Sequence, residues 1–243
     1  MTVPKIITIA ARKGGVGKTT IAYELAYVLG APLVDLEFSN GSATRAWGYR
    51  HESRVGSPLL DAIESGEAPR LINGAKKPPL VPGHPDFEAN QPDPEMMRDL
   101  LIEWAEQWGS ESVVVDIPGG ATPAGYGAIA AASTVLVPSP LATKELNALE
   151  EMIRDMADYP LVVVPNMIPR VPRAVEIKRL SELVEDTSVG VATPIPFVKG
   201  IGTRMKRVAI TSEAPTPRAY IEFVEAIRSL ADGIREGRWI SGR

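Results

Sequence analysis

The run Ala11-Arg12-Lys13-Gly14-Gly15-Val16-Gly17-Lys18-Thr19-Thr20 gathers small, cationic and hydroxyl residues between an apolar segment and an amphipathic one. Glycines at 14, 15 and 17 let the backbone curl until successive N–H groups point inward. A helix starting there adds positive potential. Such a turn binds oxyanions, phosphate above all. The spacing suits a nucleoside triphosphate. Gly14, Gly15, Val16 and Gly17 would cradle the phosphates through N–H groups, and Lys18 would reach the β- and γ-phosphates. Thr19 would place its hydroxyl on Mg2+, and Thr20 would face the α-phosphate. The general pattern asks for glycine where this chain has Arg12.

Two acidic segments complement the loop. In Val113-Val114-Val115-Asp116 an apolar strand delivers an aspartate at its C-terminal end, where ligands sit in open α/β sheets. Asp116 suits Mg2+, held through a water, or caps the following turn. Leu33-Val34-Asp35-Leu36-Glu37 repeats the arrangement, with Asp35 a second candidate at the metal. After Val162-Val163-Val164-Pro165 stands Asn166, whose amide can both donate to and accept from a purine edge, or cap a turn.

These residues need strands to deliver them. Short continuous apolar runs occur at Ile6–Ala10, Leu33–Leu36, Val113–Val115, Thr134–Val137 and Leu161–Val164, with Leu80–Val81 and Val189–Ala192 as further candidates. Continuous rather than alternating runs mean burial on both faces, as in a parallel sheet covered by helices. Helical stretches separate them: Thr19–Leu29, Ser57 to about Glu64, Asp93 to about Trp108, Lys144–Asp158, Arg173–Val184 and Pro217–Ile234. Ser57-Pro58 and Asp93-Pro94 read as helix starts, a capping side chain followed by proline in the first turn. The alternation predicts a doubly wound, mostly parallel α/β sheet flanked by helices, the P-loop fold, as one domain over 1–243. Pro78-Pro79-Leu80-Val81-Pro82 reads as a strand between rigid loops.

Composition narrows the chemistry. The 243 residues include no cysteine, which excludes disulfides, thiolate metal sites, iron–sulfur clusters and cysteine nucleophiles. The two histidines, His51 and His84, lie far apart in loop-like sequence. No apolar run approaches the ~20 residues of a membrane span, and Met1–Lys5 lacks a signal-peptide pattern, so a cytoplasmic location is expected. The net charge of −4 is uneven: residues 1–165 hold 13 Lys+Arg against 21 Asp+Glu, and residues 166–243 hold 13 against 9.

Lys-Gly-Gly-Val-Gly-Lys-Thr-Thr at 13–20 resembles the deviant Walker A string of the ParA/MinD superfamily of P-loop ATPases, in which the first glycine is commonly missing. The resemblance extends from about Lys5 to about Glu225. It implies that Lys13 crosses the interface of an ATP-bound homodimer to phosphates held by the other subunit. It implies a Walker B role for Asp116, with Pro118-Gly119-Gly120 as the switch loop that senses the γ-phosphate. Asp35 fits the first Asp of the family's second acidic motif, and Glu37 stands where the water-orienting Asp is expected. Phe38-Ser39 replaces Pro-Gln there. Glutamate is one methylene longer than aspartate, and hydrolysis depends on ångström-scale positioning, so slow ATP hydrolysis follows. Asn166, and Pro194 and Pro196 of Pro194-Ile195-Pro196-Phe197, would face the adenine.

Within the superfamily, iron–sulfur carriers need cysteines, and the tyrosine-kinase branch needs a tyrosine-rich tail; neither is present. A MinD-like membrane tip would rest on Trp239 and Ile240, too few apolar residues for a stable hold. The remaining ParA branch implies non-specific binding of double-stranded DNA at the nucleoid and a ParB-like or cargo-adaptor partner that triggers hydrolysis. The chain begins almost at the first strand, so the helix-turn-helix domain of longer ParA proteins is not expected. Lys199-Gly200-Ile201-Gly202-Thr203-Arg204-Met205-Lys206-Arg207 is the candidate DNA segment, with Arg218 added, or else an ordinary solvated basic loop. A membrane-cycling regulator and a nucleotide-locked scaffold that hardly hydrolyses are the competing readings.

Overall fold

The computed structural model describes residues 3–37, 42–50 and 56–239. Seven parallel strands form one sheet: β1 (Lys5–Ile9), β2 (Leu33–Asp35), β3 (Leu80–Val81), β4 (Ser112–Asp116), β5 (Thr134–Ser139), β6 (Leu161–Pro165) and β7 (Gly190–Val191). Their spatial order is β3-β2-β4-β1-β5-β6-β7, so from the central β1 the chain runs out to β2 and β3 on one side, returns to β4 beside β1, and then crosses to β5, β6 and β7 on the other. The C-terminal end of β1 is thus the topological switch point, where a crevice opens. The register sets Ile9 of β1 and Asp35 of β2 both level with Asp116 of β4.

Both faces of the sheet are covered. Ile7, Ile9, Leu33, Val114, Leu136 and Val162 pack on one side with α1 (Lys18–Leu29) and the last helix, α8 (Ile221–Arg235). Ile6, Val34, Val113, Val115, Val135 and Val163 pack on the other with α3 (Pro58–Ser65), α4 (Pro94–Gln107), α5 (Pro123–Ala131) and α6 (Thr143–Asp155). Alternating side chains on buried strands therefore feed two cores, as the continuous apolar runs imply. A short α2 (Ala43–Trp47) follows β2, and α7 (Ala174–Val184) follows β6. The expected doubly wound fold is present.

Several boundaries differ from the expected ones. The helix expected from Pro217 begins at Ile221, because Arg218–Tyr220 form a 3-10 turn first. The helix expected over Lys144–Asp158 ends at Asp155. Ser57 and Asp93 do cap α3 and α4, accepting the N–H groups of Leu60 and Met96 at 3.4 and 2.9 Å. Helix α5 is not legible in the sequence because glycines at 125 and 127 depress its propensity by about 1 kcal/mol each. A Cβ on Gly127 would meet the Pro94 carbonyl oxygen at 2.5 Å and Met97 Cβ at 2.6 Å. The glycine is there to let α5 lie close on α4. Thr122 caps α5 through Gly125 N–H at 3.1 Å, and Pro123 occupies its first turn.

Candidate phosphate and metal site

The glycine-rich loop leaves the end of β1 and enters α1 at Lys18. Its start is pinned where Ala10 N–H donates to the Leu136 carbonyl at 3.0 Å. Gly15 and Gly17 have φ of +78° and +92°, in the left-handed region where a side chain is disfavoured. Gly17 faces a second constraint. Asn166, at the end of β6, donates its amide to the Val16 carbonyl at 2.7 Å and lies so close that any Cβ on Gly17 would collide with it. Asn166 is buried. It braces the phosphate loop, a role that neither a base contact nor a turn cap anticipates.

Asp116 is the electrostatic anomaly of the fold. It is fully buried, and among the described residues neither carboxylate oxygen has a partner in full hydrogen-bond geometry, the Thr19 hydroxyl standing close by. Burial raises its pKa, and the charges of Asp35 and Glu37 raise it further, while the Thr19 hydroxyl and the Lys18 ammonium pull it down. A buried carboxylate without donors costs free energy unless a cation or a strong donor set completes it. The residues around it fit a hydrated divalent cation: an unsatisfied hard oxygen donor, a threonine hydroxyl and a neighbouring carboxylate.

Asp35 is occupied differently. Its carboxylate accepts Thr44 N–H at 2.6 Å, Thr44 Oγ at 2.5 Å and Glu37 N–H at 3.1 Å. Burial raises its pKa, partly opposed by these donors. Asp35 therefore ties Glu37 to the first turn of α2. Gly83 closes against the same residues: its N–H donates to Thr44 Oγ at 2.8 Å, and a Cβ there would lie 2.8 Å from the carbonyls of Asp35 and Glu37. Glu37 itself is half-buried beside Asp35. Phe38, Ser39, Asn40 and Gly41 lie outside the described residues.

Lys18 is buried, with its ammonium facing Gly119 of the loop after Asp116. Lys13 donates its ammonium to the Lys144 carbonyl at the start of α6, at 2.9 Å. Arg12, the departure from the general pattern, reaches the same helix and pairs with Glu151 at 3.4 Å and with Asp155. The two cations thus tie the phosphate loop to α6.

The nominated cationic stretch divides. Lys199 and Arg218 line a hollow of about 400 Å3 together with Pro194, Pro196 and Arg170, so the expected base-facing prolines and these cations share one recess. Arg204, Lys206 and Arg207 line another hollow, of about 280 Å3, beside Thr19 and Thr20. Arg204 corrects the expectation of an outward DNA contact. Its side chain is only 11% exposed, it donates to the Lys206 and Val208 carbonyls, and it pairs with Glu213 at 3.0 Å. It shapes its loop from inside. Glu24 is the buried group that sequence reasoning missed. On α1 it accepts Ile210 N–H, Thr211 N–H and Thr211 Oγ at 2.7, 2.9 and 2.8 Å, binding the phosphate helix to the segment after the basic loop. A lone carboxylate inside the Ile21–Leu25 apolar stretch was its available signal.

No family model matches the chain. In sequence it is similar to the chromosome-partitioning ATPase Soj of Thermus thermophilus, 33% identical over 142 residues, which cover 54% of this chain and 53% of Soj. The chain spans about half the length of the curated relatives it matches. In structure it is similar to the ATP complex of a McdA variant from Cyanothece (TM-score 0.73, 19% identity, 100% and 99% of the two chains covered). A comparable likeness is to MinD of Pyrococcus horikoshii with Mg-ADP (TM-score 0.73, 18% identity, 97% of each chain covered). These structures share the fold. Their likeness to this chain is one of fold, a doubly wound α/β sheet of the P-loop kind.

Proposed function

We propose that the chain is a ParA-type ATPase. It binds ATP with Mg2+, dimerises across Lys13, holds double-stranded DNA non-specifically in the ATP state, and hydrolyses slowly until a partner protein stimulates release. Such a cycle drives DNA segregation or cargo positioning. The observation that carries the reading is the orphaned Asp116 carboxylate, level with Asp35 and next to Lys18 and Thr19. Mg2+ held by Thr19 and Asp116 would neutralise charge on the β- and γ-phosphates. Lys18, already turned toward the loop after Asp116, would meet the same oxygens. Lys13 needs to give up a single bond to the Lys144 carbonyl to reach a second subunit.

Two further observations bear on the competing readings. Trp239 is seated in the domain: Cβ atoms on Gly190 and Gly233 would strike its indole, and Arg238 lies 5.9 Å from the ring centroid. That side chain is engaged, which argues against a free membrane tip; Ile240 lies outside the described residues. No helix among the described residues is long and apolar enough to cross a membrane. Glu37 has its N–H fixed on Asp35 and its carbonyl against Gly83, so its backbone is anchored; slow hydrolysis rests on the extra methylene of its side chain.

The test is a molar-mass measurement by light scattering with Mg-ATP, Mg-ADP and no nucleotide, joined to single-turnover hydrolysis. A dimer with Mg-ATP alone and slow turnover supports the reading. A monomer in every state, or a dimer indifferent to nucleotide, contradicts it.

A further inference from the structure

The fold assembles a cationic surface that no single stretch of sequence displays. Arg207 from the basic loop lies along Gly48, where a Cβ would touch its Cδ at 2.8 Å and its Nη1 at 2.9 Å. Arg207 is also close enough to Lys77 to lower that lysine's pKa, after the larger effect of burial. Lys77 donates to the Trp47 carbonyl at 2.7 Å and stands 4.1 Å from the Trp47 ring centroid. Its neighbour Lys76 is exposed and has φ of +60°, an unusual backbone state for lysine, in a turn whose Lys76 carbonyl accepts Ala209 N–H at 2.9 Å. Arg45 of α2 is exposed and lines the hollow shared by Lys206, Arg207, Thr19 and Thr20. Like charges drawn together this way repel, and a bound polyanion relieves the repulsion. Two described acids beside the basic loop are engaged. Glu213 pairs with Arg204 and Lys206, and Glu24 is enclosed by Ile210 and Thr211.

We infer that Arg45, Lys76, Lys77, Lys206 and Arg207 form one composite shelf that docks the phosphate backbone of duplex DNA, and that the Lys199–Arg218 recess is not the main DNA contact. The inference rests on the DNA-binding reading above and says where on the molecule it acts. The shelf carries several cations in no fixed fork, together with an occupied indole, which suits sequence-independent contact with phosphates. Single-strand stacking is disfavoured because Trp47 already holds Lys77. The shelf is also wired to the nucleotide site. Arg45 directly follows Thr44, whose N–H and hydroxyl are held by Asp35, level with Asp116. On the other flank, Tyr23 of α1 donates to the Arg207 carbonyl at 3.2 Å. A change at the phosphate helix or at the acidic pair therefore moves both edges of the shelf.

The test compares the full chain with the triple variant Arg45→Gln, Lys76→Gln, Arg207→Gln and with the double variant Lys199→Gln, Arg218→Gln. Each is titrated with a random-sequence duplex in Mg-ATP over a salt series. Circular dichroism and Mg-ATP affinity are measured in parallel, as is binding to anionic vesicles. Each phosphate that a variant no longer neutralises flattens the slope of log K against log salt by roughly 0.9, so the triple variant is expected to lose about 2 to 3 from the slope and at least about 30-fold in affinity near 0.1 M salt. The double variant is expected to stay within about threefold of the parent. A drop in DNA affinity confined to the double variant overturns the inference and leaves the DNA-binding reading intact. So does a drop in Mg-ATP affinity in the triple variant, which would assign these cations to the nucleotide. Should the triple variant misfold, single substitutions at Arg45 and Lys76, each expected to flatten the slope by about 1, decide the matter. Absence of duplex binding by the parent chain in every nucleotide state, or binding to vesicles instead, overturns the underlying reading and the inference with it.

Discussion

Replacing Asp116 by asparagine tests the metal site through stability rather than activity. The folded chain buries this carboxylate beside two other acids, with no partner in full hydrogen-bond geometry among the described residues, so its pKa is raised. A raised carboxylate pKa means that the folded state holds a proton the unfolded state releases. Stability conferred by the proton is therefore lost as pH climbs above the ordinary carboxylate range. Every tenfold difference in proton affinity between the two states corresponds to about 1.4 kcal/mol. The asparagine side chain would remove the charge but bring its own amide N–H groups, whose partial satisfaction takes back about 1 kcal/mol. A net gain of about 1–2 kcal/mol at neutral pH remains, or about 2–8 °C in melting temperature for a chain this long. Mg-ATP at a hundred times its Kd adds about 2.7 kcal/mol to the parent, and the variant is expected to forfeit nearly all of that. The assay is a thermal melt from pH 5 to pH 8, with and without Mg-ATP. The nucleotide-free variant should melt higher, the gap should widen toward pH 8, and the order should reverse with Mg-ATP. A nucleotide-free variant that melts below the parent throughout would refute the reasoning.

Other perturbations follow from the same geometry. Gly17→Ala places a Cβ into Asn166 on a backbone of φ +92°, so Mg-ATP affinity should fall at least about tenfold in a fluorescent-nucleotide titration. Adding Asn166→Ala should relieve the collision but not the backbone strain, and restore only part of that affinity. Glu24→Ala strips three donors of their acceptor; it should cost about 2–4 kcal/mol in urea unfolding, whereas Glu24→Gln should cost less than half as much. Lys13→Gln should leave Mg-ATP binding by the monomer within about threefold and abolish the ATP-dependent dimer in light scattering, because its bond to the Lys144 carbonyl holds no nucleotide.

The parts of the site legible in sequence are those built from local signals. The phosphate loop shows because its glycines, lysine and threonines are contiguous. The strands show because burial on both faces makes them continuously apolar, and Asp116 shows as the charge that ends such a run. What stays hidden depends on packing between distant segments. Helix α5 is masked by the glycines that let it approach α4. Arg204 looks like a surface cation until Glu213 and two carbonyls draw it inward. Asn166 looks like a base contact or a turn cap, and its hold on Val16 spans 150 residues. The cationic shelf joins Arg45, Lys76 and Lys77, from two segments not basic enough alone to stand out, to Arg207 of the basic stretch that does.

Retention of a random-sequence duplex by the full chain, compared in Mg-ATP, in Mg-ADP and without nucleotide across a salt series, tests the central claim most directly. The account predicts retention with Mg-ATP alone, falling steeply as salt rises. Equal retention in all three states, or none in any, would contradict it.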